Sequence, residues 1–469
     1  MRERRRWTLV VVCLATAVLL LNVAAPNVAL PDIGAHLDAE LSVLQWVISG
    51  YSLALAATLL TAGTLADLVG RRRMFLGGLA GFAAASAVCA AAPTALALIA
   101  GRAAQGLAGA VLLSSSLALL AQDFTGVARA GAIGVWGATV AAAFAIGPLE
   151  GGLLTEAFGW RAIFVLDVAI ALACLPVAVR RLRESRDPDA GQVDWWGTVT
   201  LCLGLFLGVF ALTRGDVLGW GSGVILASAA AAAALLAAFV VVERREPEPM
   251  LDLGLFATPT FTGASVVVLL LAASTFGPFL YLTLFLLDVG GASPTAVGLQ
   301  LMPLSAAAFV VSSLGGRYAR VLPVRAALPA GQLLSAAGLL AMRGVEASSP
   351  WTFLLPGLLL MGVGIGLSNP AVTYAALGVV PATRSGMASG TNNTFRQVGL
   401  AIGIAVLGTL LPAQADADPA AFAAALDRIL LVSAAVATAG AVLAVTLIRQ
   451  RDFVVDPAPT PTGSAGRNL

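Results

Sequence analysis

The chain contains no lysine, a single histidine, four cysteines and few charges of any kind, Asp, Glu, Lys and Arg together making up 11% of its 469 residues. Each scarcity excludes something. Without lysine there is no GxxxxGK[ST] loop to cradle nucleotide phosphates, and no GxSxG nucleophile elbow occurs either, so ATP-driven pumping and hydrolase chemistry both lack their residues. No stretch is large and polar enough to form a soluble catalytic domain, so the chain reads as a non-enzyme with no cofactor. His36 has no Cys or His at ligand spacing, which makes it a solvated loop histidine and not a metal ligand. Cys13, Cys89, Cys174 and Cys202 all fall inside apolar runs, where a thiol behaves as a small apolar side chain, and no disulfide is expected. A net charge of +2 gives no sign of a nucleic-acid partner.

What is abundant sets the class. With 59% hydrophobic residues and a mean hydropathy of +0.92, the chain cannot pack into a water-facing globule and reads as an integral membrane protein. A hydrocarbon core about 30 Å thick needs about 20 apolar residues per helical span. Fourteen such segments lie near 7–30, 43–63, 74–92, 95–120, 131–154, 161–179, 196–212, 221–242, 261–286, 294–316, 326–342, 351–375, 388–412 and 428–448. Their Ala, Gly, Leu and Val runs show little period-two alternation, which excludes a membrane barrel.

Arginine, the only strong cation, sets the orientation. Only Arg161, Arg214, Arg343 and Arg428 fall in one set of alternate loops, Arg102 and Arg396 lie within spans, and the rest fall in the other set or at the termini. Under the positive-inside rule this asymmetry requires an even number of spans with both termini cytoplasmic. The acidic stretch Asp416 to Asp418 then faces outward. The basic start MRERRR precedes an apolar run too long for a signal peptide, so an uncleaved first span is expected.

Weak internal similarity suggests repeated halves. GTLADLVGRRR after the second span and GGRYARVLPVR after the tenth both put Gly and Arg at a cytoplasmic turn. Spans one to six would pair with nine to fourteen, leaving seven and eight as an inserted hairpin. The expected units are a six-helix bundle over 1–179, a charged linker over 180–194, the hairpin over 195–245, a second six-helix bundle over 246–451 and a disordered tail over 452–469.

Short motifs lie in order along these segments: NVALP at Asn27 to Pro31, LADLVGRRR at Leu65 to Arg73, RAAQG at Arg102 to Gly106, GPLEGG at Gly147 to Gly152, GWRAIF at Gly159 to Phe164, and SGTNNTFRQVG at Ser389 to Gly399. Together they resemble the major facilitator superfamily, and within it the drug:proton antiporters with fourteen spans. Gly63, Leu65, Asp67, Gly70, Arg71 and Arg72 match its loop motif; Arg102, Gln105 and Gly106 its fourth-span motif; Gly147, Pro148, Gly151 and Gly152 its fifth-span antiporter motif. The resemblance implies two six-helix bundles and export of small hydrophobic compounds by a monomer in a bacterial inner membrane, driven by proton entry. Arg-only, Ala-rich and Gly-rich usage suits a GC-rich bacterial genome, in which antibiotics or secondary metabolites are plausible cargo. A proton-independent facilitator, a lipid or metabolite transporter and a non-transporting sensor are the alternatives on such a fold.

The motif residues divide by role. In the loop motif, glycines allow tight turns and Asp67 can cap a helix or pair with Arg71 to Arg73, forming a conformational latch; plain topology anchors are the other reading. Leu68 replaces an often basic residue of the family. In GPLEGG, proline removes a donor and the glycines permit close packing, which bends the fifth span. Arg102, Glu150 and Asp167 are charges at membrane depth, where ionisable groups are usually functional, and helical rise sets them at similar depth in the outer half. Here the chain departs from its resemblance. Asn22 stands where the fourteen-span group usually has an acid, Glu150 where it has a small or apolar residue, and Asp167 where it has Asn. Proton coupling is therefore expected at Glu150, Asp167 and Arg102, having moved from the first span to the fifth and sixth. The bland reading has Glu150 lining a wet vestibule and Asp167 paired with Arg161 or Arg102. Asn22, Trp46, Tyr51, Trp136, Phe144, Tyr281 and Tyr374 are candidate substrate contacts, and Arg396 with Asn392, Asn393 and Gln397 is a second polar cluster for gating or for interhelical bonding.

Overall fold

The computed structural model describes residues 2–124, 126–186, 192–247, 249–314, 322–380, 384–411 and 418–453. Among them the chain forms fourteen long helices and no strand: α1 (Arg2–Leu37), α2 (Leu41–Val69), α3 (Arg71–Ala90), α4 (Ala95–Asp123), α5 (Gly126–Phe158), α6 (Arg161–Arg181), α7 (Trp195–Leu218), α8 (Gly223–Arg245), α9 (Pro259–Val289), α10 (Pro294–Ser313), α11 (Val324–Ala341), α12 (Leu355–Leu377), α13 (Ser385–Gly408) and α14 (Pro419–Leu447). Twelve of these are long and apolar enough to cross a membrane, and α5 makes a thirteenth if its two bent halves form one span. The remaining one, α13, carries the polar run SGTNNTFRQVG in its first turns.

Local chemistry explains the ends. Thr94, Asp194, Ser222, Ser293 and Asp418 each accept a backbone N–H of the helix they open, the usual work of an N-cap. Gly70 separates α2 from α3 with φ of 120°, a backbone region that side chains rarely adopt. The first apolar run, 7–30, becomes a helix from Arg2 to Leu37, and 428–448 becomes Pro419–Leu447. Hydropathy marks only the lipid-immersed part, whereas backbone hydrogen bonding continues until a cap or turn intervenes. His36 consequently sits on the last turn of α1, its ring nitrogen 3.0 Å from Asp32, and not in a loop.

The helices pack as two matching sets. In the first, α1 lies on α5 and α6, α2 on α4, and α3 on α4 and α6; in the second, α9 lies on α13 and α14, α10 on α12, and α11 on α12 and α14. The sets meet along α2 with α13 and α5 with α10. Helices α7 and α8 pair with each other, and α7 rests on α2 and α13, where Trp46 donates to Thr213 at 3.1 Å.

The expected disordered tail begins too early. Asp452 accepts from the backbone and hydroxyl of Thr260, and Phe453 stacks on Tyr374 with ring centroids 5.7 Å apart. Residues 454–469 lie outside the described residues, as do Arg317 and Arg320 of the second loop motif, Asp416 and Arg467.

Candidate functional site

Proline creates the centre of the first bundle. Pro26 lies inside α1 and has no N–H to give the carbonyl of Asn22 one turn earlier, so that oxygen is left free within the bundle. The Arg102 guanidinium takes it: Nη2 donates to the Asn22 carbonyl at 2.9 Å, Nη1 to Asn22 Oδ1 and Gln105 Oε1 at 3.0 Å each, and Nε to the Val47 carbonyl at 2.9 Å. The Asn22 amide then donates to Asp167 Oδ1 at 2.8 Å, and Gln105 bridges Ser86 at 2.7 Å and Asp167 Oδ2 at 3.5 Å. Arg102, Asn22, Gln105 and Asp167 are all buried. The Tyr51 ring lies under Arg102 at 4.3 Å, its hydroxyl bound to the Leu19 carbonyl. A buried cation and a buried carboxylate are thus joined through two amides, in an interior where such networks must be satisfied to be tolerated.

Arg102 and Asp167 make no direct ion pair among the described residues. Arg161 is not Asp167's partner either, since it donates to the Ala92 carbonyl at 3.1 Å and packs on the Trp160 ring. Glu150, half-buried on α5, interacts electrostatically with Asp167 and keeps one buried carboxylate oxygen without a hydrogen-bond partner.

Helix α5 bends by 47° between Phe144 and Ile146. Pro148 lacks an N–H for the carbonyl of Phe144 and its ring pushes that carbonyl aside, so the bend falls one turn before the proline. Beyond it, α5 approaches its neighbours at backbone distance. A side chain at Gly151 would strike the Ala25 carbonyl of α1, and one at Gly152 the Pro294 carbonyl of α10. Gly298 of α10 returns the contact on Pro148 and Leu149. At the tip, Glu156 accepts from the Ser293 hydroxyl at 2.8 Å and the Thr295 backbone at 3.0 Å. Glu156 was not among the sequence candidates, although an acid in the last turn of a helix opposes the macrodipole and signals a partner elsewhere.

On the other side of the bend, the sets separate around a cavity of about 840 Å³. Its lining reaches the last residues of α10 and α12, Ser313 and Leu377, and Ser389 near the start of α13. It therefore opens toward the end that carries Arg71 to Arg73, and the Gly152 contact seals the opposite end. Trp136, Phe144, Tyr374, Asn392, Asn393 and Arg396 line it, and Val23 and Ala24 bring α1 to its wall directly beside Asn22. Trp46, Tyr51, Tyr281 and Asn22 itself do not. Trp46 packs on Phe206, and Tyr281 is fully buried with its hydroxyl on the Ile404 carbonyl and Gln45.

The loop motif is built as an ion-paired turn. Arg71 binds Asp67 at 2.8 Å, and Arg72 reaches the Val179 carbonyl at 2.7 Å. Glu184, from the segment after α6, caps α3 by accepting from the backbone of Arg72 and Arg73. A side chain at Gly70 would collide with that carboxylate. Gly63, by contrast, faces open space. Glu184 was missed in the sequence because a lone acid within RRLRESR reads as a solvated linker charge.

Comparison with known proteins agrees with this architecture. The Major Facilitator Superfamily pattern matches residues 12–404 and again 253–466. The chain is 35% identical over 414 residues to the multidrug resistance protein Stp of Mycobacterium tuberculosis, covering 88% of this chain and 77% of that protein. It is 34% identical to the tetracenomycin C resistance and export protein of Streptomyces glaucescens, covering 87% and 76%. The crystal structure of the human organic anion transporter MFSD10 superposes with a TM-score of 0.65 at 18% identity, covering 94% of this chain and 99% of that one.

Proposed function

The chain belongs to the Major Facilitator Superfamily, and from that membership we propose that it is a fourteen-span secondary transporter, acting as a monomer, that exports small hydrophobic compounds from a bacterial cell in exchange for protons. Relatives named for resistance to, or export of, antibiotics support the substrate class. Helix α13 counts as the fourteenth span: with 24 residues at 1.5 Å rise it is about 36 Å long, enough for the hydrocarbon core, and its polar turns face the cavity instead of lipid. An even span number puts both termini in the cytoplasm of an inner-membrane protein, and the cavity then faces inward. The matched packing of α1–α6 and α9–α14 supports two six-helix bundles with α7 and α8 as an insertion.

One observation carries the coupling mechanism: the hydrogen-bonded chain Arg102–Asn22–Asp167 adjoins the cavity through α1. Ionised Asp167 balances Arg102 and holds α6 to α1. A proton arriving from outside, by way of Glu150, neutralises Asp167 and frees α1 to move with α5 about the Pro148 bend, opening the outer seal. Compound leaves outward, the proton later leaves inward, and the network reforms. Asp67, Arg71 and Arg72 act at the cytoplasmic ends as the latch of the opposite state.

The test uses purified protein in liposomes under an imposed pH gradient, with a panel of neutral and charged lipophilic drugs. Compound-dependent proton movement is expected in the wild type, lost in Asp167→Asn and slowed in Glu150→Gln. Flux indifferent to the gradient and to both substitutions would overturn antiport in favour of a facilitator.

A further inference from the structure

Among the described residues, the cavity wall carries one charge and no counter-charge. Among the described residues that line it there is no Asp or Glu, and Arg396 is the only ionisable cation. Its guanidinium donates from Nη1 to the Asn369 amide oxygen at 2.9 Å, while Nε is buried with no hydrogen-bond partner, and no carboxylate among the described lining residues pairs with it. One turn earlier on α13, Asn392 is 3% exposed and its Nδ2 is likewise unpartnered. Both residues line a cavity otherwise walled by Trp136, Phe144, Phe276, Phe309 and Tyr374, so that one positively charged side chain stands in an aromatic wall. A buried charge left uncompensated is unfavourable unless an opposite charge or hydrogen-bond acceptor completes it.

We infer that the cavity selects hydrophobic aromatic compounds bearing an acidic oxygen, a carboxylate or an ionised phenol, whose charge Arg396 balances, and that it disfavours the lipophilic cations common among drugs. Guanidinium suits this task because it stays charged and forms charge-assisted hydrogen bonds to ionised oxygens. The aromatic walls supply apolar burial for the remainder of the molecule. A cation entering the cavity would find no carboxylate partner and would face Arg396 in a poorly screening interior. This deepens the export reading by naming its cargo. Exchange of an anion outward for a proton inward also moves positive charge inward in both steps, so flux of such cargo is accelerated by an inside-negative potential.

The experiment measures equilibrium binding to the full chain in lipid nanodiscs of three anthracene probes: 9-anthracenecarboxylate, its near-isosteric carboxamide, and (9-anthracenylmethyl)trimethylammonium. The carboxylate is expected to bind about tenfold or more tightly than the carboxamide, as befits a hydrogen bond to a charged group, and the ammonium most weakly. Arg396→Gln should bring the carboxylate to the level of the carboxamide, and Arg396→Lys should keep part of the difference. Equal or tighter binding of the ammonium by wild type, or an unaltered carboxylate-to-carboxamide ratio in Arg396→Gln, would overturn the inference. Should Arg396→Gln lose the carboxamide as well, its fold is damaged, and the wild-type order with Arg396→Lys decides. Binding needs no gradient, so a failure of proton coupling leaves this order intact and the two readings fail separately.

Discussion

Asn22 of α1 donates its side-chain amide to the carboxylate of Asp167 on α6 at 2.8 Å, while the amide oxygen of the same Asn22 accepts from Arg102. The pair places one amide and one acid face to face across a helix interface, and either residue could carry the charge.

Exchanging the two is therefore the first prediction. Asp167→Asn alone should abolish compound-dependent proton movement, and Asn22→Asp added to it should restore a substantial part, because the carboxylate returns to the same pocket and now meets Arg102 directly. Proton uptake in liposomes reads both. A double exchange as inactive as the single one would show that the position of the acid on α6, and not its presence in the pocket, is required.

Removal of the buried cation should unfold the first bundle more than it affects any single contact. Arg102→Met leaves the Asn22 carbonyl unpaired and Asp167 without its balancing charge, a loss of about 3–5 kcal/mol for a buried charge left uncompensated. Asp167→Asn combined with it should cost clearly less than the sum of the single substitutions. Thermal unfolding in detergent checks this; simple additivity would mean that the two groups do not share a network.

At the α5–α10 contact, Gly152→Val should hold α5 away from Pro294 and, on the proposed orientation, shift the protein toward the outward-open form. Glu156→Gln should act in the same direction but more weakly, since the amide keeps an acceptor oxygen for Ser293 and Thr295 while losing its charge. Electron–electron distance measurements between spin labels on the outer ends of α5 and α10 should show a longer population. An unchanged distribution in Gly152→Val would remove the seal from the gating mechanism.

The turn between α2 and α3 gives a fourth expectation. Gly70→Ala forces a side chain into a backbone conformation at φ 120° and against Glu184, with strain of about 1–3 kcal/mol. Glu184→Ala should relieve the collision but not the backbone strain, so the double variant should be less destabilised than additivity requires. Melting temperatures of the three variants provide the measurement.

Apolar segments were legible in the composition because lipid demands long apolar helices, and each of the fourteen expected segments overlaps a helix, twelve or thirteen of them long and apolar enough to cross a membrane. The bend in α5 was legible for a similar reason, proline acting on its own backbone at a fixed offset. Ends were less so: the tail's first residues, Asp452 and Phe453, are held by Thr260 and Tyr374, partners nearly two hundred and about eighty residues away in a chain that gives no local sign of them.

The candidate site divides along the same line. Rarity alone marked Arg102, Glu150 and Asp167, since a charge in an apolar run is unfavourable wherever the run folds. Only packing decided that Asn22 stands between Arg102 and Asp167, that Tyr51 and Tyr281 are spent on backbone carbonyls while Trp136 and Tyr374 line the cavity, and that Arg396 keeps one buried donor without a partner. Hydrophobicity is a property each residue carries with it, so the sequence determined which segments enter the membrane and which residues are out of place there. A hydrogen bond needs two groups brought within 3 Å, and which groups meet was decided by the tertiary structure.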